Sequence, residues 1–547
     1  MPGLLSGGVG DSLRALMSLL PFGDLPRYQA RRLLPESLAW DEWSGVKPYF
    51  DRLEAMLGEV RDAAGLEAWL LVWGELNAAV SEEGSRRYIA MTCHTDAPEA
   101  ERAYLHFVEK IEPEVKPRQF RLEQLYLAHP ARAGLAGGRY EVFDRQTAVH
   151  VELYRDENVP LETEEARIGQ QYQKLSGSLT VQFRGAERTL VQMGRYLEEP
   201  QRALRQEAWE LVARRRLQER DAFEAQFDEL LRLRNTIARQ SGFANYRDYT
   251  FRARWRFDYT PADCEAFHDA IAEEVVPLLK ELQAERREQL GLPGLRPWDL
   301  AVDPLGRPPL RPFEEVERLV AGSMAVFERL DDELAANFRR MHELRLLDLE
   351  NRKGKAPGGY QSSLPEARLP FIFMNAVGQQ RDVETILHEA GHAFHTLATQ
   401  QEDFYPYRDA PIEFCEVASM SMELLGGEFL DVFYMPDELR RARRDHLEGV
   451  VETFPWIATV DAFQHWVYTH PEHTREERAA AWTRLTERFG GDVDWGGWEE
   501  ARAHAWHRQL HVFLYPFYYV EYGIAQIGAL QLWLNARKDR AGALAAY

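Results

Sequence analysis

Three cysteines in 547 residues, Cys93, Cys264 and Cys415, are too few and too scattered for a disulfide framework or an all-cysteine zinc site. A reducing compartment fits, and the expected location is cytoplasmic. Positive charge is also in short supply. Lys and Arg total 66 against 88 Asp and Glu, a net charge of −22, and no basic cluster stands out from that background. This excludes a nucleic-acid partner as the natural reading and leaves solubility as the simplest use of the charge. The N-terminal run Leu13 to Leu20 is short, follows an acid and has no basic stretch before it, so neither an export signal nor a membrane span is expected. What the chain does have is length and 45% hydrophobic content, enough for a large core and for two or more subdomains.

The pattern along the chain is mainly that of helices. Helical spacing runs from about Trp40 to Val80, through Glu99–Ile111 and Gln119–Leu127, then Gln201–Gln240, Pro261–Leu290 and Phe313–Leu346. The exception is Ser178–Met193, where alternating residues flank Arg184-Gly185 and predict a β-hairpin. Pro and Gly at Leu292–Pro297 and Gly306–Pro309 suggest a hinge. The expected organisation is a helical region over 1–175, a hairpin and helical lobe over 176–300, and a catalytic region over 301–547. Within the last, Gly354–Tyr360 reads as a loop and Leu369–Asn375 as a short strand. Such a strand could pair with the backbone of a bound peptide or simply belong to the core.

The organising stretch follows that strand. In Thr385-Ile-Leu-His-Glu-Ala-Gly-His-Ala-Phe-His395, His388 and His392 fall about 40° apart on a helix. Ile386, Ala390, Ala393, Phe394 and Leu397 collect on the other side. Two imidazoles one turn apart can bind one Zn²⁺, with Glu389 beside them as general base toward a water. His395 lies about 10.5 Å along the axis from His388, too far to share the ion, so it is read as a neighbour. The missing third donor should come from another helix. Glu416 is the best candidate, on a helix started by Asp409 and Pro411 and ended by Gly426-Gly427. Glu413, Glu416 and Glu423 share one stripe, which a solvated acidic face would also produce; Glu423, with Glu413, is the candidate for holding a histidine ring from behind.

A second cluster lies near the C-terminus: His504, His507 and His511, then Tyr515, Tyr519 and Tyr522 at i, i+4, i+7 spacing, with Pro516 expected in the first turn of the helix. Phenols on one stripe can donate to an oxyanion or serve as core.

Taken together, Gly358-Gly359-Tyr360, the Phe371–Asn375 strand with Gly378, His388–His392 with His395, Glu413–Glu416, and His511/Tyr515/Tyr519/Tyr522 resemble the zinc oligopeptidases that include thimet oligopeptidase and, more closely, oligoendopeptidase F. The resemblance implies one Zn²⁺ per chain on His388, His392 and Glu416, with Glu389 as base. His511, Tyr515, Tyr519 and Tyr522 would then act on substrate or the tetrahedral intermediate, and Tyr360, Phe373 and Asn375 would bind substrate. It implies a two-lobed helical clam with a deep substrate channel, small hairpin and sheet elements and an HExxH catalytic helix. Glu413 and Ala418 replace an Asp and a Pro of the thimet branch, so that branch's specificity does not carry over. The expected activity is cleavage of internal bonds in short unstructured peptides by a monomer or weak homo-oligomer. The competing readings are a helical zinc carboxypeptidase, which would need a basic residue in the channel for a free carboxylate, and a catalytically silent peptide-binding homologue.

Overall fold

A computed structural model describes residues 18–547; the start of the apolar run at 13–20 lies outside the described residues. The mainly helical architecture with small sheets is as expected. Helix starts follow local chemistry. Asp62 accepts from the Gly65 N–H, and Thr260, with Pro261 next, forms a reciprocal cap with Asp263. None of the described helices is long and apolar enough to cross a membrane.

The hairpin is present as β1 (Thr180–Phe183) antiparallel to β2 (Ala186–Thr189). Arg184 and Gly185 both take positive φ, 51° and 82°, as a tight two-residue turn requires. The second arm is shorter than expected. Gln192 Oε1 accepts from the Thr189 N–H at 3.0 Å, and the chain turns into a 3₁₀ segment at Gln192–Glu198.

A second sheet comprises β3 (Leu347–Glu350), β4 (Tyr360–Leu364) and β5 (Leu369–Ala376) in the order β3-β5-β4. β5 is parallel to β3 and antiparallel to β4, so its backbone is paired on both sides. This corrects the expectation that the strand ahead of the HExxH helix could pair with a peptide: the edge available there belongs to β4. Continuous burial of Leu369 to Met374 accounts for the unbroken apolar run. Lys355, buried beneath the sheet, donates to the carbonyls of Glu350 at 2.9 Å and Met374 at 2.5 Å.

Two of the large cores bear on the site. One joins the sheet, the HExxH helix and helices between residues 316 and 343. The other gathers Tyr172, Phe227, Trp482, Trp506, Phe513 and Phe517. The segment expected to be a hinge is held at Asp299, which is buried and pairs with Arg202 at 2.8 Å and Arg205 at 3.1 Å.

The HExxH helix, Gln380–Ala398, buries its apolar side as expected. Ile386, Leu387 and Phe394 are at most 3% exposed, each contributing about 1.5–3 kcal/mol. It packs against the helix Ile412–Gly426, and Gly391 is the point of closest approach: a Cβ there would stand 2.6 Å from Ser419 Cα and 2.7 Å from the Ala418 carbonyl oxygen. Backbone cannot yield as a side-chain tip can. A Gly391→Ala substitution should therefore destabilise the fold by about 1–3 kcal/mol, read as a lowered Tm, and should lower metal occupancy by moving the two helices apart.

Candidate metal centre

The first turn of the HExxH helix is fixed by Asp382, whose carboxylate accepts from the N–H groups of Val377 at 2.7 Å and Gln379 at 2.9 Å. Two turns later His388 and His392 stand on one face, ring centroids 4.9 Å apart and nearly perpendicular. The close crossing at Gly391 delivers Glu416 between them. Its Oε2 lies 3.3 Å from His388 Nε2 and 3.4 Å from His392 Nε2, and the three donor atoms fall within 4.8 Å of one another.

These residues fit a zinc ion on three grounds. The donors are two imidazole nitrogens and one carboxylate oxygen, a set that leaves a fourth position open. Two of the three are oriented from behind: Glu423 Oε1 is 2.7 Å from His388 Nδ1, Tyr518 donates its hydroxyl to Glu416 Oε1 at 2.5 Å, and Ser419 Oγ donates to Glu416 Oε2 at 2.8 Å. With a proton on His388 Nδ1 facing the carboxylate, the Nε2 lone pair is free to coordinate. Finally, Glu389 is buried and its Oε2 has no hydrogen-bond partner among the described residues, a costly arrangement unless something in the site uses it.

The local field favours positive charge. Burial alone would depress His388, but its bonds to Glu416 and Glu423 raise it well above the ordinary histidine value. Burial would raise Glu423, but His388 and His446 hold it down to about 2, while His446 in turn is pushed up to about 9 by Glu423 and Glu384. Burial, the main influence on Glu389, raises that carboxyl.

The C-terminal cluster faces this set but is built differently from the single stripe expected. A short helix, Leu510–Leu514, ends before Tyr515, and the next begins only at Tyr519, running to Ala536. Pro516 is therefore not in its first turn. Phe517 causes the break. It adopts φ 62°, its ring is buried in the second core, and its N–H donates to Gln464 Oε1 at 2.8 Å. Tyr515 is consequently off the helix and 41% exposed. Tyr518, which the helical spacing passed over, becomes the residue that touches Glu416. The only sequence signal for it was the density of aromatics between 515 and 522.

Tyr519 and Tyr522 do lie on the helix, their rings 5.0 and 5.8 Å from that of His511. A directional relay connects them. Trp456 Nε1–H can only donate, so the Gln509 atom 3.3 Å away is Oε1, and the Gln509 Nε2–H is left to donate to His511 Nδ1 at 2.9 Å. The proton of His511 is then on Nε2, 3.2 Å from the Tyr522 oxygen. Tyr522 accepts, and its own proton is free to point elsewhere. Burial lowers His511 to about 4, so the neutral ring this network needs is the stable form near neutral pH.

Other expected site residues serve the scaffold. Phe373 is fully buried, stacked on Tyr360 at 4.8 Å, and so is a core residue instead of a substrate contact. Tyr360 spends its hydroxyl on Thr92 Oγ1 at 2.6 Å. Asn375 donates to the carbonyls of Ala356 and Gly358, holding the loop before β4. Glu413 bonds no histidine among the described residues and accepts from Tyr259 at 2.7 Å. His395 is outside the donor set.

With this geometry in place, comparison with known proteins adds an independent finding. The model of peptidase family M3 matches residues 195–544. Oligopeptidase PepF of Bacillus subtilis (strain 168) is 26% identical over 341 residues, 58% of this chain and 49% of that protein. An oligoendopeptidase F homolog of Lactococcus lactis subsp. lactis (strain IL1403) is 27% identical over 186 residues, 33% of this chain and 30% of its own length. The matched stretch thus spans about half of these relatives or less. Among solved structures, Pz peptidase A with an inhibitor superposes with a TM-score of 0.88 at 27% identity, covering 94% of this chain and 90% of that one.

Proposed function

Because the chain belongs to peptidase family M3, we propose that it is a metal-dependent endopeptidase acting on short, extended peptides, with His388, His392 and Glu416 as the residues that would hold one Zn²⁺. The ion, when bound, supplies Lewis acidity to a scissile carbonyl and to the attacking water. The observation that carries this reading is the buried, unpartnered Oε2 of Glu389 beside a two-nitrogen, one-oxygen donor set.

The chain's own residues then divide the work. Glu389 takes the proton of the attacking water on its free oxygen and returns it to the leaving nitrogen. Burial, by raising its pKa, makes Glu389 a stronger base than an exposed glutamate. Tyr522, accepting from His511, aims its own O–H at the oxyanion that forms on the substrate; a donor of this kind is worth about 10²–10³ in rate. Tyr518 is committed to Glu416 and orients it. The edge of β4 is where an extended peptide backbone would pair, which favours unfolded segments irrespective of side chain.

The test is digestion of one peptide in C-terminally blocked and free forms, read by mass spectrometry, with and without a chelator. Internal cleavage of both forms, lost on chelation, is expected, and folded proteins should survive. Removal of single residues from the free form alone would make the protein a carboxypeptidase, and no turnover at all would make it a silent binding protein.

A further inference from the structure

Two helices other than the HExxH pair each carry two metal-ligating side chains one turn apart. Cys264 and His268 lie on the helix Pro261–Ala270, Asp461 and His465 on the helix Pro436–Thr469, both at i, i+4 spacing, and the two helices pack against each other. All four residues are at most 5% exposed. Donor atoms of Cys264, Asp461 and His465 fall within 4.8 Å of one another. His268 stands behind the carboxylate, its Nε2 2.8 Å from Asp461 Oδ2, much as Glu423 stands behind His388.

A hydrogen-bonded core cluster is the simpler account of such residues, but it leaves buried polar atoms unmet. Among the described residues Asp461 Oδ1 has no hydrogen-bond partner, and neither ring nitrogen of His465 has one. Yet His465 Nε2 is only 3.3 Å from Asp461 Oδ2. That is the spacing of two ligands on one ion, since donors about 2.0–2.1 Å from a tetrahedral metal stand about 3.3–3.4 Å apart. Glu416 Oε2 lies at the same 3.3 Å from His388 Nε2. The charged neighbours do not close the gap. Arg256 is engaged by Glu521 at 2.8 Å, and Glu265 is 3.9 Å from His465 Nδ1, beyond hydrogen-bond reach. A divalent ion held by one thiolate and one carboxylate leaves no net charge in the buried site, and a thiolate, imidazole and carboxylate together suit zinc and not magnesium or calcium, which take oxygen donors. Burial pushes the Cys264 thiol up, so an ion that binds must release the thiol proton to solvent. This makes the site weaker than the HExxH set, and dialysis empties it.

We propose that Cys264, Asp461 and His465 form a second, structural site for a divalent ion of the zinc class, with His268 orienting the carboxylate. The ion ties the helix Pro261–Ala270 to the helix Pro436–Thr469. His465 packs edge-on against the Phe517 ring at 5.4 Å, and its neighbour Gln464 accepts the Phe517 N–H, so the brace supports the bend that sets Tyr518, Tyr519 and Tyr522. The site shares no residue with the HExxH donor set and stands whether or not the protein is a peptidase.

The experiment uses the full chain, dialysed after zinc loading, and Co²⁺ as the probe, because a thiolate on cobalt gives a near-ultraviolet charge-transfer band that imidazole and carboxylate ligands lack. Titration should bring in about one further ion per chain together with that band. Cys264→Ser should abolish the band and weaken uptake by more than the about 10–100-fold typical of losing an outer partner. Cys415→Ser, beside Glu416 in sequence, should leave the band in place. Added Zn²⁺ should also raise the Tm of the wild type above that of its dialysed form, and raise that of Cys264→Ser less. No uptake by the folded wild type, uptake without the band, a band that survives Cys264→Ser or vanishes with Cys415→Ser, or an equal rise in Tm for wild type and Cys264→Ser overturns the site. The first two outcomes need only the wild type, so they decide the matter even if Cys264→Ser fails to fold.

Discussion

A Glu389→Gln protein should hold its metal and bind peptide near wild-type levels, yet turn over at least about 10²–10⁴ times more slowly. Glutamine keeps the size of the side chain and removes only its capacity to take a proton. The position is suited to such a clean separation. Glu389 is about 100° around the helix from His388, beside the donor set and not part of it. It is buried, with Oε2 unpartnered, while Oε1 faces Gly359, where even a Cβ would come within 3.2 Å. Metal content, peptide affinity and turnover should be measured on one preparation. Loss of metal would make Glu389 a ligand, and substantial remaining activity would move the base elsewhere.

Glu416→Ala should act on the other half of the chemistry, reducing bound zinc well below one per chain after dialysis. Two imidazoles rarely compete with a three-donor set. The loss should exceed the about 10–100-fold typical of removing an outer partner. The change also strands the Tyr518 hydroxyl, in a site where Glu416 is only 1% exposed. Elemental analysis of the dialysed protein is the measurement, and full zinc retention would point to a different third donor.

The donor set could be read from sequence because it depends on helical periodicity. His388 and His392 need only an i, i+4 spacing, and the stripe of Glu416 and Glu423 needs only one further helix. What set them against each other was less visible: a glycine at residue 391 that lets two backbones touch. The tyrosines show where periodicity stops helping. One residue, Phe517, with positive φ and a ring in a distant core, interrupts the stripe and hands the contact with Glu416 to Tyr518. Strand pairing was equally out of reach. An apolar run announces a buried strand but not that both of its edges are taken, so Phe373 and Asn375 read as substrate contacts when they serve the core and a loop.

The helix pair joined at Gly391 also bears on the order of assembly. His388 and Glu416 are 28 residues apart in sequence, whereas Tyr518 is 102 residues from the Glu416 it bonds. Closing the shorter segment costs less chain entropy and needs only neighbouring elements. The donors can therefore come together while the chain beyond residue 427 is still unfolded, and the tyrosines arrive afterwards. Zinc present during refolding would then act as a nucleating ligand for this helix pair, speeding the early phase and leaving the rate of tyrosine closure as it was.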